Sequence, residues 1–148
     1  MIRYLIALTV LTIAYPILNS SVAAQGENRL LLGYWEPVDE EDHMLVHVYE
    51  DANGNIEGRV IEADRTIDGY ENGINSSNDI IISGFSHDED YIWREGEIHD
   101  PEDGDTYSGR LTLMHSSKIE VRAYWAIFSK DMTWRKVVAP TIASSSER

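Results

Sequence analysis

The chain has 148 residues, a formal net charge of −14 and no cysteine. It is long enough for one domain with its own core, and no disulfide can staple it. A surface this acidic repels phosphate backbones and anionic headgroups, which excludes nucleic acid as a natural partner.

Arg3 precedes an apolar run from Leu5 to Leu18, and Val22-Ala23-Ala24 then supplies small residues. This pattern predicts a signal peptide over residues 1–24, cleaved before Gln25. Pro16 interrupts the run, which is shorter than the ~20 residues of a spanning helix, so no lasting membrane insertion is expected. Arg3 is the one charged residue before Gln25, so its loss takes the net charge from −14 to −15. An exported chain without disulfides fits the periplasm of a bacterium, or secretion from it.

Residues 25–142 read as the folded domain and 143–148 as a flexible tail. Eight runs rich in Val, Ile, Tyr and Trp recur between clusters of Gly, Asn, Asp and Ser: Leu30–Glu36, Met44–Glu50, Ile56–Glu62, Asp79–Phe85, Tyr91–Ile98, Thr106–Met114, Ile119–Phe128 and Thr133–Val138. Little helix is expected. Asn53-Gly54 suits a hairpin turn with positive φ at both positions. Ser86–Asp90, His115–Lys118 and Ser129–Met132 are the other expected short turns. Eight strands in a meander hide their edges by closing on themselves, so the fold class is all-β, a single antiparallel up-and-down barrel.

Alternation assigns Tyr107, Gly109, Leu111 and Leu113 to one face of the sixth run, and Ile119, Val121, Ala123, Trp125 and Ile127 to one face of the seventh. These sets are the expected core. Gly58, Gly96 and Gly109 interrupt strand patterns and mark bends or close backbone approaches.

Gly33-Tyr34-Trp35 opens the first run, and Thr133-Trp134-Arg135 lies on the last. Ring closure makes these runs neighbours. Gly33, Trp35, Trp134 and Arg135 are therefore expected to close the barrel, with the Arg135 guanidinium stacked on Trp35.

Those segments, with Ile56-Glu57-Gly58-Arg59-Val60, the block from Ile98 to Tyr107 and Val121-Arg122-Ala123-Tyr124, resemble the bacterial exported family called "domain of unknown function 2147". The Asp-Pro-Glu-Asp-Gly-x-x-Tyr block beginning at Asp100 is the most specific piece. The resemblance spans about Leu31 to Val138 and implies a lipocalin-like (calycin-type) barrel. It implies no settled activity and no catalytic residue. The chain has Arg122-Ala123-Tyr124 where the family usually has Arg-Gly-Tyr.

Four carboxylates, Asp100, Glu102, Asp103 and Asp105, crowd six positions and form the candidate cation site, against an acidic turn started by Pro101. His43 and His47 are spaced too far apart on a strand to share one metal. No serine nucleophile elbow, cysteine nucleophile or phosphate loop is present, and no cofactor is implied. Trp93, Tyr107 and Trp125 are candidates to line a ligand, and Arg122 to hold a ligand carboxylate. The expected function is non-enzymatic binding of a small apolar or amphipathic molecule. The alternative is a solid-cored envelope module that docks a basic partner through Asp39–Asp42 and Asp100–Asp105.

Overall fold

The computed structural model describes residues 19–38, 43–63, 80–100 and 104–140. The signal run before Asn19, the loop 64–79, Glu102, Asp103 and the tail lie outside the described residues.

A helix, α1 (Asn19–Leu31), precedes eight strands: β1 (Gly33–Pro37), β2 (Met44–Glu50), β3 (Ile56–Ala63), β4 (Ile80–Glu89), β5 (Ile92–His99), β6 (Thr106–His115), β7 (Lys118–Trp125) and β8 (Phe128–Val137). Each strand pairs antiparallel with the next, and β8 returns to β1 to close the barrel. Closure pairs Tyr34 with Val137, Trp35 with Lys136, Glu36 with Arg135 and Pro37 with Trp134. The meander and its closure are those the turn spacing predicts.

Three local expectations are corrected. Leu30 and Leu31 end α1 rather than begin a strand, and Leu31 is fully buried at the barrel base. The helix stops before Gly33, whose φ of 128° suits glycine. The chain reverses between β7 and β8 at Ala126-Ile127, not at Ser129–Met132. Ala126 takes a φ of 52° there, and Ser129, Lys130 and Asp131 pair in β8 with Tyr124, Ala123 and Arg122. Polar residues looked like a turn because a barrel wall has a solvated outer face. In the β2–β3 turn Gly54 alone takes positive φ; Asp51 holds it through Oδ1, which accepts from the backbone N–H groups of Asn53 and Asn55 at 2.8 Å each.

The core lies inside the ring. Val46, Val48, Ile56, Val60, Ile82, Phe85, Ile98, Leu111, Ile119, Val121 and Ala123 pack there with Trp35, Trp93 and Trp134. Fully burying one such side chain is worth about 1.5–3 kcal/mol. Phe85 lies against the inner wall of β5 and β6 because two residues there have no side chain. A Cβ on Gly96 would come within 2.3 Å of the Phe85 ring, and one on Gly109 within 2.8 Å of its Cζ.

Candidate functional site

The two ends of the barrel are built differently. At the base are the start of β1, the end of β8 and the turns β2–β3, β4–β5 and β6–β7. Here α1 forms a plug tied to six residues of the barrel. Trp35 Nε1 donates to Leu31 O at 2.7 Å. Lys136 Nζ donates to Leu30 O at 2.8 Å and lies 5.1 Å from the centre of the Trp35 ring. Asn28 accepts from Trp93 Nε1 at 2.6 Å and donates to Glu50 Oε1 at 2.8 Å. Glu27 Oε2 accepts the Tyr91 N–H at 2.7 Å and lies 2.9 Å from His87 Nε2. The Tyr91 backbone donor, with His87 beside it, holds the Glu27 carboxyl below its usual value. Asn28, though polar, is buried, and both ends of its amide are used.

The plug places two groups away from their expected roles. Trp93 is wholly buried at the base, with its N–H satisfied and its ring edge-on to His87 at 5.6 Å. The cation over Trp35 is Lys136, not Arg135. The register pairs Trp35 with Lys136, and alternation turns Arg135 to the outer face, where it pairs with Glu36 Oε2 at 3.0 Å. A cation on the last strand does cover the tryptophan of the first, one residue along from the expected one. Gly33 sits beneath the same lysine, 3.2 Å from Cε to a notional Cβ.

The opposite end, the mouth, is where β1, β3, β5 and β7 finish. Its inner rim on β6–β8 is aromatic. Tyr107 and Trp125 lie 5.9 Å apart by ring centroid, and Trp125 and Phe128 6.5 Å apart. Trp125 is 40% exposed and Phe128 59%, while Ile127 at the hairpin tip is 90% exposed. Trp125 and Ile127 thus leave the buried row to which alternation assigns them, because β7 ends at Trp125.

Alternation along β8 puts Phe128, Lys130, Met132, Trp134 and Lys136 on the inward row. Met132 packs on the core and Trp134 belongs to it. The Trp134 indole N–H is buried with no acceptor among the described residues. Lys130 pairs in register with buried Ala123 but is itself exposed. Lys130 has no ion pair among the described residues.

Arg122, expected to hold a ligand carboxylate, faces outward, and Arg110 and Arg59 do the same. Arg122 makes a two-point pair with Asp131, through Nε to Oδ1 and through a terminal nitrogen to Oδ2 at 2.6 Å. Hydrogen bonding to Asp131 raises the Arg122 pKa, and the same bond lowers that of Asp131. Arg110 stands opposite Arg122 in register, with Glu120 near both at 3.6 and 3.5 Å. Arg59 donates to Tyr49 Oη at 2.9 Å, which in turn donates to Glu57 at 2.8 Å.

Of the candidate cation residues, Asp100 and Asp105 are described and form a turn. Asp100 N donates to Asp105 O and Gly104 N to Asp100 O, each at 2.9 Å. Among the described residues, no group of three or more His, Asp or Glu side chains is placed to hold a metal ion. His43 lies 4.0 Å from both Glu36 and Glu62, and His47 stacks on Tyr34 at 4.8 Å. The sequence reading passed over Lys130 and the anchors Glu27, Asn28 and Lys136.

A closed eight-stranded meander, with a helix across its base and a tryptophan beneath it, is a lipocalin-like barrel. Residues 33–136 match the family described as "Uncharacterized protein conserved in bacteria (DUF2147)", and the chain belongs to that family. The solved structure of protein HP1028 from Helicobacter pylori, described as belonging to the lipocalin family, is similar, with a TM-score of 0.57 and 17% identity over 73% of this chain and 83% of that one. That likeness shows the fold. No curated protein matches the chain.

Proposed function

We propose that this protein is an exported, non-enzymatic barrel that takes a small apolar or amphipathic molecule at its mouth. The observation that carries this is the contrast between the ends. The base is sealed by a plug of paired polar groups, whereas the mouth presents Trp125, Ile127 and Phe128 to solvent. Large apolar side chains gathered at a rim mark a surface that gains by being covered. The lipocalin-like fold supports the same reading by analogy. Trp93 sits in the plug, so Tyr107 and Trp125 are the aromatic candidates that remain for ligand contact.

Native mass spectrometry of mildly purified protein tests this. A co-purified small molecule, or uptake of an added neutral amphiphile by the stripped protein, is the expected result. A stripped barrel that takes up neither apolar nor amphipathic probes would overturn it. Phe85, which fills the space over Gly96 and Gly109, is the observation that favours the competing solid-cored module. In that case crosslinking in intact cells traps a basic protein partner, and it does so less at high salt.

A further inference from the structure

We propose that the outer wall formed by β6, β7 and β8, together with the β7–β8 hairpin tip, docks this protein reversibly on an anionic lipid bilayer. This surface role is separate from ligand uptake, and either can fail without the other.

Charge is not spread evenly around the ring. Between Gln25 and Asp105, the part of the chain that supplies β1–β5, there are 23 acidic residues and four basic ones, a net charge of −19. From Thr106 to Val137, the part that forms β6–β8, the acidic residues are Glu120 and Asp131. The basic ones there are Arg110, Lys118, Arg122, Lys130, Arg135 and Lys136, so this part carries +4. The three strands are neighbours, and in the closed order β7 stands across the ring from β3. The molecule has a basic side and a strongly acidic remainder. The repulsion of anionic headgroups read from the total charge belongs to that remainder.

Pairing reduces the basic side without cancelling it. Lys136 is taken into the base. Glu120 and Asp131 lie against Arg110 and Arg122, and Glu36 of β1 lies against Arg135. Five cations against these three carboxylates leave +2 on the wall. A charged surface responds to this sum, since charges closer than the Debye length of about 10 Å are felt together.

An apolar feature stands on the same strands. Trp125, Ala126, Ile127 and Phe128 make the tip of the β7–β8 hairpin, and all four are exposed, with exposed Lys130 two residues behind. Tryptophan at a lipid–water boundary, aliphatic groups beyond it and cations behind it is the arrangement of a peripheral membrane contact. One weak signal gives marginal binding, and two on one surface reinforce each other. An acidic protein surface would answer the charge and leave the tip uncovered. A bilayer answers both, with its headgroups for the wall and its apolar layer for the tip. The turns that flank this wall at the mouth, after β1 and before β6, are acidic in sequence. The wall is therefore expected to meet the headgroups along its length, with only the tip entering.

The experiment uses the protein recovered after export from an expressing bacterium. Co-sedimentation is followed with vesicles of phosphatidylcholine alone and of phosphatidylcholine mixed with phosphatidylglycerol. Tighter binding to the mixed vesicles, reversed by high salt, is expected. Lys130→Gln should weaken it about fivefold, the scale of one cation near an anionic surface. Ile127→Asp should weaken binding to both kinds of vesicle. Glu62→Gln, on the opposite wall, should leave binding unchanged. These positions are exposed, so urea unfolding that matches the parent shows the variants to be folded. Failure to bind either vesicle, equal binding to both, or binding indifferent to Ile127→Asp would overturn the proposal. So would a gain from Glu62→Gln as large as the loss from Lys130→Gln, because total charge alone would then be acting. Self-association at low salt that vesicles do not compete away would assign the wall to the acidic side of a second copy and overturn it too.

Discussion

The Lys136 ammonium lies 5.1 Å from the centre of the Trp35 ring and donates to Leu30 O, so one side chain ties the last strand to the first strand and to the plug. Burial lowers the Lys136 pKa, as expected for a cation held over an indole instead of in water. Lys136→Met is expected to cost about 1–2 kcal/mol in urea unfolding. The neighbouring Arg135→Ala should change stability by no more than about 0.5 kcal/mol, because its pair with Glu36 is exposed to solvent. Equal losses in the two variants would contradict the assignment of the closing cation.

Asn28 is the polar residue at the centre of the plug. Asn28→Leu leaves the Trp93 N–H buried without its acceptor and removes a donor from Glu50. The expected loss is about 1–3 kcal/mol by chemical denaturation. Trp93 fluorescence should shift as the indole loses its partner.

Gly96→Ala pushes a methyl group into the Phe85 ring, since the approach of 2.3 Å is far inside van der Waals contact. It should destabilise by about 1–3 kcal/mol. Phe85→Leu should recover part of that loss when combined with Gly96→Ala, with a coupling of about 1 kcal/mol in a double-mutant cycle. Strict additivity would mean that Phe85 does not rest on Gly96.

The pKa of His47 is lowered from 6.5 by burial, with the nearby Arg59 charge adding to the effect. Below pH 6.5 the unfolded chain therefore takes up its proton before the folded chain does. The unfolded state then binds more protons, so stability rises with pH in that window and falls as the solution is acidified through it. His47→Phe keeps a ring against Tyr34, 4.8 Å from the native imidazole, and should flatten this part of the profile. Unfolding curves between pH 5 and 7 (about the range in which histidine titrates) read it directly.

Much of the barrel was readable along the chain. Met44–Glu50 was bounded as found, and the recurrence of short turns implied a meander whose ends must meet. The site was less legible. Tyr107 and Trp125 were named from composition, but their meeting depends on the β6–β7 register. Lys130 was hidden by a turn placed four residues late. Once the reversal is set at Ala126-Ile127, alternation alone puts Lys130 in line with Met132 and Trp134. The plug had no local signal, since Glu27 and Asn28 find His87 and Trp93 some sixty residues away.

The sequence by itself determined what is local: where most strands run, which residues alternate, where glycine must turn the chain and how acidic the surface is. Tertiary structure decided which face each row presents and what meets across the ring. A one-residue difference in register exchanges inside for outside. That is why Lys136 rather than Arg135 covers Trp35, and why the arginines stand outside while Lys130 is left at the mouth.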